Sequence, residues 1–121
     1  MLPEKGHLLR IFISENDKCN GRPLYEWIVQ KAKTENLAGA TVIRGLEGFG
    51  AHHHIHTTKI LRLADDLPIV VEIVDTLEKI DAFIPLIDEV IDEGMATVED
   101  VQIRFYKSRK SPDSRKDKRE K

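Results

Sequence analysis

From residue 7 to 14, Leu9, Ile11 and Ile13 alternate with Arg10 and Phe12. Side chains of an extended chain point to opposite faces in turn, so this spacing predicts a strand with one face in a core. The period changes after Asn20-Gly21-Arg22-Pro23. Leu24, Trp27, Ile28 and Lys31-Ala32 recur at three- and four-residue intervals as far as Asn36, which predicts an amphipathic helix with Pro23 in its first turn. Gly39 ends the connection, and residues 40–44, short and β-branched, read as a second strand. After an irregular stretch, Asp65-Asp66-Leu67-Pro68 leads into residues 69–74, the most hydrophobic strand. Asp75 then stands as a helix cap, with Glu78 three residues on to complete a capping box. Ile80, Phe83, Ile84, Ile87 and Ile91 mark the buried stripe of that helix, Pro85 should kink it, and Gly94 should stop it. Residues 95–98 and the alternating Val101, Ile103 and Phe105 predict one broken strand or two short ones.

The order β-α-β-β-α-β makes an α+β, ferredoxin-like sandwich with both helices on one face of the sheet. The other face carries a second apolar set, including Phe12, Val70 and Val74, and no third helix to cover it. An apolar face left in water is costly, so further copies of the chain should cover it.

With 121 residues, 40% hydrophobic and 6% aromatic, the chain suits one domain with an aliphatic core. Its apolar runs fall far short of the ~18 residues a membrane span needs. The start lacks the basic and apolar regions of a secretory signal, so a cytoplasmic location is expected. A single cysteine, Cys19, excludes an internal disulfide and a cysteine-based zinc site. The charge is uneven. Residues 107–121 hold eight Lys/Arg against three Asp/Glu, a net +5, which leaves −7 on residues 1–106 from the total of −2. The domain should therefore end near residue 106, followed by a basic disordered tail. The acidic body, without interleaved aromatics, argues against specific nucleic-acid binding.

Candidate chemistry gathers between the second and third predicted strands. Gly45, Gly48 and Gly50 form G-x-x-G-x-G, which is neither a Walker nor a Rossmann motif and alone reads as a turn. His52, His53, His54 and His56 follow at once. On an extended limb His52, His54 and His56 share a face, where three imidazoles could ligate Zn²⁺ or Cu²⁺ or, protonated, donate to phosphate. A solvated loop is the plainer alternative. Asp88-Glu89 and Asp92-Glu93 read as the solvated side of the second helix, and Asp65-Asp66 as turn chemistry. No serine lies in a nucleophile elbow and Cys19 has no spaced base, so nothing here points to catalysis.

Gly39-Ala40-Thr41-Val42, Gly48-Phe49-Gly50 and Leu67-Pro68 before Val71-Glu72-Ile73-Val74 together resemble the PII signalling family. The nearer likeness is to a PII-like group marked by Gly21-Arg22-Pro23-Leu24-Tyr25-Glu26, Arg44-Gly45, His56-Thr57 and residues 66–72, and it spans about residues 8–106. This resemblance implies a homotrimer with adenine-nucleotide sites between subunits. It also implies a T-loop, here residues 45–59, that signals to a protein target such as a transporter, channel or enzyme. By motif, Gly48 and Gly50, with Phe49 between them, would approach the ribose and phosphate, and Gly39 and Thr41 would lie near the base, with Val74 at the end of its strand; His52, just past Gly50, is the histidine placed to contact phosphate. PII proteins carry a G-x-G-K phosphate element before the last strand. Here Glu93-Gly94-Met95-Ala96-Thr97 stands in its place, which favours AMP or ADP over ATP. The alternative implied by the CutA-like relatives of PII is a trimer binding a divalent metal through His52, His54 and His56.

Overall fold

A computed structural model describes residues 4–48, 56–57 and 66–109. The elements in chain order are β1 (Lys5–Ser14), β2 (Lys18–Cys19), β3 (Arg22–Pro23), α1 (Leu24–Thr34), β4 (Thr41–Arg44), β5 (Glu47–Gly48), β6 (His56–Thr57), β7 (Pro68–Asp75), α2 (Leu77–Asp88) and β8 (Met95–Gln102). Four strands form an antiparallel sheet in the order β4-β7-β1-β8. The expected β-α-β-β-α-β order is present, with two small two-stranded ladders added to it.

The register explains the core. Leu9 lies opposite Ile73, Ile11 opposite Val71 and Ile13 opposite Ile69, so these six share one face and are all buried. Leu24, Ile28 and Ala32 of α1 and Ile80, Phe83 and Ile87 of α2 close over them, at the helical spacing the sequence shows. The opposite face pairs Leu8 with Val74, Arg10 with Glu72 and Phe12 with Val70. Ile43 of β4 joins this row beside Val70, and Met95 of β8 beside Phe12. At its centre Arg10 Nε lies 2.9 Å from Glu72 Oε2, and Nη1 lies 2.5 Å from Glu99 Oε1.

Several boundaries differ from the sequence reading. Helix α1 stops at Thr34 because Asn36 adopts φ 63°. The amide of Asn36 then donates to Lys33 O and that of Leu37 to Ala32 O, a Schellman ending with asparagine in the left-handed position. Thr76, not Asp75, caps α2: its hydroxyl accepts from the Lys79 amide at 3.2 Å. The helix runs through Pro85 and ends at Asp88, so Ile91 packs on the core from outside it and Gly94 does not stop it. Gly94 instead lets the returning chain pass β1, since a Cβ there would sit 2.7 Å from Phe12 O. Strand β8 is continuous from Met95 to Gln102, and residues 103–109 follow without regular structure. The expected tail falls mostly outside the described residues. Finally, Asn20 and Gly21, both at positive φ, turn a hairpin that pairs Lys18 with Pro23.

Candidate functional site

The edge strand β4 organises the residues singled out in the sequence. Thr41 pairs with Glu72 and Arg44 with Ile69, so β4 runs alongside β7 with Thr41 and Ile43 on the open face. Val74 lies two residues beyond Glu72 on the same face. Gly39 sits between Thr41 and Ala38, whose amide is bonded to the Asp75 side chain. Gly39, Thr41 and Val74 are thus brought together at one end of the β4–β7 ladder. A Cβ at Gly39 would meet no heavy atom within 4 Å, so this rim is open. Gly48 lies beyond the opposite end, separated by the length of β4, about 10 Å at ~3.3 Å per residue.

Asp75 fixes the first end. It is 2% exposed, and its carboxylate accepts from Ala38 N at 2.8 Å and from Thr76 N at 2.7 Å. Two backbone donors satisfy a charge that burial would otherwise penalise heavily. Two more groups hold the same connector: Lys79 Nζ donates to Asn36 O at 2.9 Å and the Tyr106 hydroxyl to Ala38 O at 3.2 Å. This role of Asp75 escaped the sequence reading. The one local signal was a second capping residue, Thr76, directly after it, which leaves the aspartate free for another partner.

The second end is the foot of the segment between β4 and β7. Gly45 N donates to Pro68 O at 2.7 Å, and Glu15 N to Leu67 O at 2.8 Å. The Arg44 guanidinium reaches Glu15 Oε2 at 2.7 Å. A Cβ on Gly45 would lie 2.8 Å from the Pro68 ring, and one on Gly48 3.3 Å from it. Gly45 is therefore required where the chain crosses Pro68 and Gly48 packs tightly against the same ring, a packing reason that stands beside the expected approach to a ligand. Gly48 pairs with His56 across β5 and β6. Phe49, Gly50, His52 and His54 lie outside the described residues. Near this end Asp17 accepts from Ser14 N at 3.0 Å. Desolvation pushes its pKa up, with smaller contributions from the charges of Asp66, Glu93 and Asp92, while the Ser14 bond opposes the rise.

Asp88, Glu89, Asp92 and Glu93 are exposed, as a solvated surface should be. Among the described residues no three His, Cys, Asp or Glu side chains come together as a metal site. Nor is any described helix long and apolar enough to cross a membrane.

A four-stranded sheet with two helices on one face and a long excursion between β4 and β7 is the PII-like form of the ferredoxin-like sandwich. The comparison with solved structures agrees. CPII, a nitrogen regulatory PII-like protein from Thiomonas intermedia K12 bound to ADP, AMP and bicarbonate, superposes with a TM-score of 0.56 at 19% identity, covering 82% of this chain and 88% of that one. Its complex with ADP and bicarbonate gives a TM-score of 0.54 at 20% identity, with the same coverage. The chain belongs to the DUF190 family (Uncharacterized ACR, COG1993), whose profile matches residues 6–103. A UPF0166 protein of Aquifex aeolicus is 41% identical over 101 residues, covering 84% of this chain and 95% of that protein. Another, from Methanocaldococcus jannaschii, is 34% identical over 100 residues, covering 82% and 92%.

Proposed function

We propose that this protein is a non-catalytic regulator that binds an adenine nucleotide, AMP or ADP in preference to ATP, in clefts between three copies of the chain. The observation that carries the reading is the gathering of Gly39, Thr41 and Val74 on the open face of β4 and β7, with Gly39 uncrowded. That rim borders the apolar face that lacks a cover, so a neighbouring copy laid on the face would form the second wall of a cleft. The PII-like neighbour that carries ADP and AMP supports the choice of ligand. Gly48, Phe49, Gly50 and His52 would border the phosphate side. The bound state would pass to a protein target, such as a transporter, channel or enzyme, as a shift in the population of conformations of residues 45–59.

The absence of a G-x-G-K element leaves no lysine of that pattern to grip a third phosphate, which is the reason for placing ATP no higher than ADP. Calorimetric titration of metal-free protein with AMP, ADP, ATP and Zn²⁺ tests the reading. AMP and ADP should bind, with ATP no tighter than ADP. Zn²⁺ binding without any nucleotide binding would favour the His52, His54 and His56 metal reading instead.

A further inference from the structure

Ala38 is held by two side chains. Its amide donates to Asp75 Oδ2 at 2.8 Å, and its carbonyl accepts from the Tyr106 hydroxyl at 3.2 Å. Tyr106 comes from the opposite edge of the sheet, at the end of a short strap that follows β8. The strap begins with Ile103, whose amide donates to Glu4 O at 2.6 Å. The Ile103 side chain lies over Gly6, where a Cβ would sit 2.6 Å from its Cδ1. Gly6 is two residues before Leu8 on β1, so this contact falls on the open face, the one that carries Thr41 and Val74.

The peptide bond converts this clamp into an aimed donor. The link between Ala38 and Gly39 is planar and trans, so its C=O and N–H point in opposite directions. The hydroxyl that holds the Ala38 carbonyl therefore turns the Gly39 N–H away from Tyr106. Gly39 is exposed, its amide has no protein acceptor among the described residues, and a Cβ there would meet no heavy atom within 4 Å. A donor already held in one direction takes an acceptor without first losing its own freedom. We propose that the Gly39 N–H donates to a ring nitrogen of the ligand's base, and that Tyr106 is the positioning residue that aims it. The strap thereby makes residues 103–106 part of the base side of the site. The inference deepens the nucleotide reading given above and rests on it.

The test titrates AMP and its three deaza analogues, each with one acceptor ring nitrogen replaced by C–H, into the full chain and into Tyr106→Phe. That variant keeps the ring and loses only the hydroxyl, and its melting temperature confirms that it folds. Wild-type protein should bind one analogue about fivefold to tenfold more weakly than AMP, the weight of one net hydrogen bond. Tyr106→Phe should bring that gap to within about twofold by weakening AMP, with the analogue's affinity unchanged. In the wild-type complex with AMP the Gly39 amide should also exchange more slowly by NMR than in the free protein. Equal binding of AMP and all three analogues, or a Gly39 amide no slower in the complex, would overturn the donor and leave the nucleotide site standing. A gap in Tyr106→Phe as wide as in wild type would overturn the role of Tyr106. Wild-type protein that does not bind AMP would overturn the nucleotide reading and this inference with it.

Discussion

The two faces of the sheet are built from the same strands and differ in one respect. The covered face is aliphatic along β1 and β7, with Asp75 alone as a buried carboxylate at its end. The open face has an apolar rim of Phe12, Val70, Val74, Ile43 and Met95 around a charged centre, where Arg10 is shared between Glu72 and Glu99. A face meant for water has no need of that rim, and a core has no use for that centre. The combination suits a surface covered by protein but assembled after folding. A charge network already paired within each chain lowers the penalty of burying it, though it adds little attraction of its own. The same difference separates stability from assembly: the first should depend on the covered face and the second on the open one.

The largest effect should come from the covered face. Phe83→Ala removes a ring that is 1% exposed, and should cost about 3–5 kcal/mol in denaturant unfolding. The open face should respond differently to an equally drastic change. Phe12→Asp should leave the chain folded by circular dichroism, yet light scattering should fall from three times the 13.8 kDa chain mass to one. Unfolding of Phe12→Asp, or an unchanged mass, would erase the distinction between the faces.

Smaller effects test the end that carries Gly45. A methyl group on Gly45 would meet the Pro68 ring at 2.8 Å, so Gly45→Ala should cost about 1–3 kcal/mol in the same unfolding assay. The smallest concerns Asp17. Burial raises its pKa above 3.8, so the folded state holds the proton more firmly than the unfolded chain does. Stability from this group is therefore present below pH 3.8 and lost as pH rises through the raised value. Asp17→Asn should keep the bond from Ser14 N and raise the melting temperature at pH 7 by about one degree, since solvent screens much of the charge. A fall in melting temperature at pH 7 would contradict the sign.

Much of this fold was legible because the chain's periodicity reports directly on burial. Leu9, Ile11 and Ile13 at period two and Ile80, Phe83 and Ile87 at period 3.6 each mark the face that was found inside. What escaped the reading depends on partners distant in sequence or on a choice between adjacent residues. Asp75 looked like a cap because its true partner, the Ala38 amide, is 37 residues away. The end of α1 was misplaced by two residues because asparagine takes a backbone angle more often filled by glycine. The Asn20-Gly21 pair was a readable hairpin signal, obscured by the proline and helix that follow it. In the candidate site, the β4–β7 register sets Thr41 and Val74 on one face, with Gly39 just before the strand. The reason for Gly45 and Gly48 that the structure adds, contact with Pro68, needed the fold to be seen.

The central claim is that the nucleotide site is shared between copies laid on the open face. Titrating AMP by calorimetry into wild-type protein and into Phe12→Asp tests it most directly. The account predicts one AMP per chain for the wild-type trimer and no measurable binding by the folded, monomeric variant. Equal affinity in the two proteins, or no binding by the wild-type trimer, would contradict it.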